Sequence, residues 1–432
     1  MNWIFLGIVL IAFAVAAWRE LSHVPLEGDE GDTPMEALST GMIESAGGAV
    51  ELALGLVGVM TLFLGLMKVA EAGGLLNIIA KLIRPLMTRL FPEVPANHPA
   101  MGAMILNMSA NALGLGNAAT PFGIRAMQEL DKLNTNPGTA TNSMALFLAI
   151  NTSSITLLPT GVIAIRAAAG SAEPAAILPT TLFATACATI AAIAAASFYR
   201  RFFPIGPLDP NASTMDRPWV KDDPEQEKLD DPGAYPTWVS ALALCGIAAL
   251  IPASIVWGRA VSPWIIPVLM LGFLVFGAVR GVRIYEVFVE GAKDGFQVAL
   301  RIIPYLVAIL VAVGMFRASG AMEIMVGTIG VYTERFGLPA EALPMALLRP
   351  LSGSGAYGVM ASIINDPDIG PDSYVGYLVT TLQGSTETTF YVLAVYFGAV
   401  QIRRIRHTLA AALTADVVAV MAAVAICTYL FL

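Results

Sequence analysis

A single carboxylate stands among amides and hydroxyls inside an apolar run at Gln383-Gly384-Ser385-Thr386-Glu387-Thr388-Thr389. Three more polar clusters interrupt apolar runs: Asn107-Met108-Ser109-Ala110-Asn111 with Gly114, Gly116 and Asn117; Asn151-Thr152-Ser153-Ser154 with Thr156; and Ser352-Gly353-Ser354-Gly355. Amide oxygens, hydroxyls and a carboxylate coordinate small polar solutes or Na+, and an acid in apolar surroundings is suited to carry H+. The candidate substrate- or ion-binding residues are therefore Asn107, Ser109, Asn111, Asn151, Ser153, Ser352, Ser354, Gln383, Ser385, Thr386 and Glu387, with Glu387 foremost. A structural reading stands beside each. Ser and Thr in membrane helices also serve close packing, and Glu387 with Gln383 and Thr386 also fits a buried hydrogen-bond network. Arg349 either pairs with an acid of the bundle or extends to the interface.

Other chemistries lack their residues. His23, His98 and His407 are unclustered, and Cys187, Cys245 and Cys427 show no CxxC spacing, so neither a metal site nor a disulfide is expected. No GxxxxGK[ST] stretch is present for ATP, residues 353–356 lack nucleophile-elbow spacing, and no histidine lies at membrane depth to act as a base. The chain is expected not to be an enzyme and to need no cofactor beyond Na+ or H+ as a coupling ion.

These clusters must be positioned by membrane helices. Hydrophobic residues make up 56% of the chain and charged residues 13%, and the mean hydropathy is +0.72, more apolar surface than a soluble core of this length would hide. Apolar stretches near 2–17, 49–67, 142–166, 175–198, 237–257, 263–279, 296–316, 374–400 and 409–432 predict about nine crossings. The first could be a signal peptide ending at Val15-Ala16-Ala17, but no basic residue precedes it, so it reads as a span. Residues 74–91 and 321–337 are amphipathic and read as interfacial helices. Residues 99–117 and 343–363, rich in small residues, read as re-entrant hairpins.

Lys and Arg set the orientation. With a cytoplasmic N-terminus, the inner segments hold 17 of the 24 basic residues and the outer ones 5. That places the C-terminus outside and turns the second half upside down relative to the first. Five domains are expected: 1–43, an N-terminal helix and outer loop; 44–203, repeat one; 204–236, a Pro- and acid-rich cytoplasmic linker; 237–289, two connecting helices; and 290–432, repeat two. The net charge of -8 lacks a basic stripe, which argues against nucleic acid as a partner.

The stretch NALGLGNAATPFGIRAMQEL at 111–130 resembles the signature region of spore maturation protein A, and TLQGSTETTFYVLAVYFGAVQIRRIRHTL at 381–409 that of spore maturation protein B. The chain thus resembles a fusion of the two, carrying the nucleoside recognition or gate domain. That resemblance implies a bacterial inner-membrane protein, with a role in spore maturation in sporulating relatives. QGSTET at 383–388 is also similar in kind to the Gln-Thr-Glu hairpin motif of concentrative nucleoside transporters, with different spacing.

The expected molecule is an all-α polytopic membrane protein of two inverted-topology repeats, with re-entrant hairpins and broken helices. Such repeats, with breaks at the midplane, are the pattern of alternating-access permeases. The expected partners are the lipid bilayer and a small polar solute or ion, nucleoside-like solutes included. The alternative is a non-transporting scaffold in envelope or spore maturation, acting as a homo-oligomer or through an envelope protein.

Overall fold

A computed structural model describes residues 2–22, 33–114, 116–153, 155–204 and 234–432. Most of the expected linker, and Ser154 among the candidate clusters, lie outside the described residues. The described chain is helical, and its strand-like pairing is one isolated bridge between Thr139 and Arg404.

Helix α1 (Asn2–Ser22) precedes two series of elements in the same order. The first is α2 (Pro34–Ala72), α3 (Leu75–Leu90), α4 (Pro99–Ala112), α5 (Gly116–Lys132), α6 (Asn142–Ser153), α7 (Thr160–Ala168) and α8 (Leu178–Tyr199). After α9 (Thr237–Val279) comes the second: α10 (Ile284–Ala318), α11 (Ala321–Met325) with further short turns and α12 (Val331–Thr333), α13 (Leu343–Leu348), α14 (Gly353–Ile364), α15 (Tyr374–Ser385), α16 (Thr389–Ala399) and α17 (Thr408–Phe431). Long helix, interfacial helix, hairpin, broken span and closing span thus occur twice.

Local chemistry sets several joints. Thr33 and Glu36 form a reciprocal capping box that starts α2. Gly74, at φ +86, makes the turn at which the chain bends by 69° from α2 into α3. His98 caps α4, Ser352 caps α14 and Ser373 caps α15 through their side chains.

Packing reveals the inversion. Gly41 lies against Ala318 and Gly314, Gly65 against Phe288, and Gly295 against Met60 and Thr61. As numbers rise along α2 they fall along α10, so the two helices are antiparallel, with glycines allowing the close approach. Helices α8 and α17 are antiparallel too. Ala192, Ala195 and Ala196 pack on Ala411 and Ala415, while Thr180 Oγ1 meets Thr381 Oγ1 at 2.7 Å and Thr381 receives Cys427 Sγ.

Two expectations about boundaries are corrected. The outer loop expected up to residue 43 is helical from Pro34, so the limit at 43/44 falls inside α2; its cap, not the onset of apolar sequence, starts the helix. The limit at 290 falls inside α10, whose helix begins at Ile284. The two connecting helices are one run of helical backbone, Thr237–Val279. A straight helix of that length would reach about 65 Å. Yet Tyr235 N donates to Lys81 O near its start, and Phe276 and Gly277 lie against Gly73 and Val69 near its end. Those partners are close together, so α9 goes out and returns, the path that two connecting helices would take.

Among the described residues, three helices are individually long and apolar enough to span: Phe5–Ser22, Pro174–Tyr199 and Thr408–Phe431, with a fourth if the bent pair counts as one. The expected spans 142–166 and 374–400 are each split at mid-length, into α6 and α7 and into α15 and α16.

Candidate functional site

Both splits are docked by the tip of the hairpin in their own repeat. In repeat one, Leu157 N donates to Ala112 O at 2.9 Å, and Asn111 Nδ2 donates to Asn151 Oδ1 at 2.9 Å. In repeat two, Phe390 N donates to Pro350 O at 3.1 Å, and the Gln383 amide bonds Tyr357 Oη. One backbone bond and one side-chain pair thus hold each tip to each break. The two breaks then meet directly: Glu387 N donates to Thr152 O at 2.7 Å. Backbone freed from helices at this depth is tolerated because protein groups satisfy it.

Each half-helix after a break packs on the other repeat's hairpin. Asn107 Nδ2, on α4, donates to Ala119 O at 2.8 Å and to Tyr396 Oη, on α16, at 3.2 Å. Tyr396 fills the space where Gly123 of α5 lacks a side chain, and Tyr357 of α14 does the same at Gly161 of α7.

Arg349 organises the second break. Its Nη2 donates to Thr386 O, its Nη1 donates to Thr388 Oγ1 at 3.1 Å, and Nη2 lies 3.8 Å from Glu387 Oε2. The arginine side chain is 8% exposed and the glutamate 42%. The carboxylate is therefore not sealed in the core, and the cation that balances it is. Of the two readings left open for Arg349, the structure shows the ion pair.

The remaining candidates divide by what they bond. Ser109 and Ser385 each donate to a carbonyl of their own helix, Ile105 and Leu382 respectively, while Ser153 Oγ bonds Ile150 O of its own helix and Thr189 Oγ1 of α8 at 3.0 Å. Ser352 accepts from Gly355 N as a cap, and Ser354 is half-buried in the first turn of α14. Asn107, Asn111, Asn151, Gln383, Thr386 and Glu387 bridge elements instead. Buried Asn107 Oδ1 and Gln383 Oε1 have no protein partner, two acceptors open to a donor or cation. Sequence reasoning missed Asp416, a buried acid on α17 whose Oδ2 accepts from Thr389 Oγ1 at 2.7 Å. Its signal was present, one acid within a long apolar helix. Tyr357 and Tyr396 gave no such signal, because aromatic residues are ordinary in spans.

Comparisons with known proteins fit this duplication. The family model described as Gate, nucleoside recognition, matches residues 53–169 and 299–403, just over half the chain. Each match runs from the middle of a long helix, α2 or α10, through the half-helix after the break. The chain is 45% identical to Spore maturation protein B of Bacillus subtilis over 166 residues, 38% of this chain and 92% of that protein. It is 43% identical to Spore maturation protein A of the same organism over 176 residues, 41% of this chain and 90% of that protein. A crystal structure of the Alcanivorax borkumensis YdaH transporter aligns over 98% of this chain and 96% of its own, at 16% identity and a TM-score of 0.38. The duplicated architecture, the family model matching each copy and the two relatives covered almost end to end lead to one conclusion: the chain is a bacterial membrane protein of the nucleoside recognition family, joining portions like spore maturation proteins A and B in one polypeptide.

Proposed function

We propose that the protein is a secondary permease of the cytoplasmic membrane, moving a small polar solute or ion by alternating access, with its site where the two breaks and two hairpin tips converge. The observation that carries this is the junction of Glu387 N with Thr152 O, flanked by a docked hairpin on each side. A scaffold has no need to bring two helix breaks together at mid-depth, whereas a transporter needs open backbone groups there. Unpartnered Asn107 Oδ1 and Gln383 Oε1 and the half-exposed Glu387 supply acceptors for an amide, hydroxyl or cationic group. The family's description makes nucleosides the first solutes to try.

Charge supports an orientation with the N-terminus inside. Arg200, Arg201, Arg403, Arg404 and Arg406 gather at one end of the bundle, while Asp366, Asp368 and Asp372 lie at the other. The test is thermal stability of the purified protein with nucleosides, amino acids and small carboxylates, with and without Na+. A ligand of the folded state raises the melting temperature, by an amount equivalent to about 2.7 kcal/mol at a hundredfold excess over Kd. Glu387→Gln is expected to insert and fold normally and to lose that shift. No shift with any solute or ion would instead favour the scaffold that the names of the spore maturation relatives suggest.

A further inference from the structure

Asp416 lies about 12 Å along α17 from its start at Thr408, near the middle of a span. It is 6% exposed. Its Oδ2 accepts from Thr389 Oγ1, and its Oδ1 is buried without a partner. Thr389 opens α16 directly after the break, so this acid is tied to the part of the chain that carries Glu387.

The surroundings provide little positive charge. Helix α6 brings no titratable side chain to α17. Helix α8 brings Cys187 and Tyr199, the latter bonded to Thr414. From α15 come Tyr374, bonded at Thr428, and Tyr377, stacked on Phe431, both toward the far end of α17. From α16 come Tyr391 and Tyr396. The charge that acts on Asp416 is Arg349, whose Nη atoms already serve Thr386, Thr388 and Glu387. One guanidinium therefore faces two carboxylates, and a buried ionised carboxylate without its own cation costs several kcal/mol.

We propose that Asp416 is a proton-binding site, holding H+ on Oδ1 in the arrangement seen here. Loss of that proton to water breaks one O–H bond and leaves a carboxylate that competes with Glu387 for Arg349. Arg349 is thereby drawn off Thr386 and Thr388, loosening the docked hairpin tip. The coupling half of this idea rests on the permease reading; the proton site does not.

The test is infrared difference spectroscopy of the full-length protein in phosphatidylethanolamine–phosphatidylglycerol vesicles, titrated with pH in Na+ or choline salts. The expected result is a protonated-carboxyl band that bleaches as pH rises, persists in Glu387→Gln, is absent in Asp416→Asn and returns, displaced, in Asp416→Glu. Asp416→Asn can still accept from Thr389, and its melting curve and elution profile check that it folds. No such band in the native protein, or a band that survives Asp416→Asn, overturns the proposal. A carboxylate band that shifts with Na+ but not choline, with no protonated band, overturns it in favour of a metal cation. A ligand screen without shifts alongside a confirmed band would remove the permease reading and leave the proton site in place.

Discussion

Two histidines and two clamping arginines show how far a residue's setting governs its chemistry here. His407, at the entrance to α17, is fully buried, and burial, with Arg406 and Arg200 nearby, pushes its pKa down to about 4. It lines a small pocket with Glu93, Asn142, Ser143 and Arg200. The folded protein therefore binds this proton less readily than the unfolded chain, and the neutral ring's contribution is fully present above pH 6.5. Stability is expected to fall as pH drops from 6.5 toward about 4, and His407→Gln should flatten that part of the melting-temperature profile. An unchanged profile would show that the ring is not the titrating group. His98 shows the same direction, from burial, but a carboxylate at Glu129 opposes it.

At the scale of helices, the half-helices after the breaks are held by shape as much as by hydrogen bonds. A Cβ on Gly161 would lie 2.9 Å from Tyr357 Oη, with the next ring atom at 3.6 Å. Gly161→Ala is therefore expected to destabilise by about 1–3 kcal/mol, as overpacking does. Tyr357→Phe removes the offending atom, so the double variant should recover most of that loss; additive losses in a thermal double-mutant cycle would refute this contact. At Gly123 the whole end of the Tyr396 ring occupies the missing side chain's place, so no such single-atom rescue is expected there.

Across the whole molecule, one arginine at each end ties a half-helix region to the start of the other repeat's broken span. Arg166, fully buried, donates to Pro371 O at 2.7 Å, pairs with Asp372 at 2.8 Å and lies over the Tyr377 ring at 4.4 Å. Arg406, held at φ 52, donates to Ala140 O and to Asn142 Oδ1, each at 3.0 Å. The two clamps are counterparts under the inversion. Arg166→Gln should lower stability by about 2 kcal/mol, the scale of a lost charge-assisted bond, read as a lower melting temperature. The inversion predicts topology as well. In a background lacking Cys187, Cys245 and Cys427, single cysteines at exposed Thr135 and Asp368 should react with an impermeant thiol reagent from opposite sides of the membrane. Labelling from one side only would rule out inverted repeats.

Much of this was legible in the sequence because lipid leaves so little freedom. Apolar run length marks helices, Lys and Arg counts mark sides, and small or polar residues at depth mark breaks, since an unbonded amide in hydrocarbon costs several kcal/mol. That reasoning located both hairpins, both split spans and the inversion, as well as Glu387 at the second break. It could not show that Arg166 is clamped, because its partners Pro371 and Asp372 lie some two hundred residues later in the chain. It passed over Asp416 and could not find Tyr357 or Tyr396. Their significance lies in which helix packs beside them. The helix starts at Pro34 and Ile284 also escaped it, because a cap at Thr33 and the packing of α2 on α10, rather than apolar content, govern them. Residue type and spacing decided what each half of the chain must do in a bilayer; only tertiary packing decided which break meets which, because those contacts join residues that no local pattern relates.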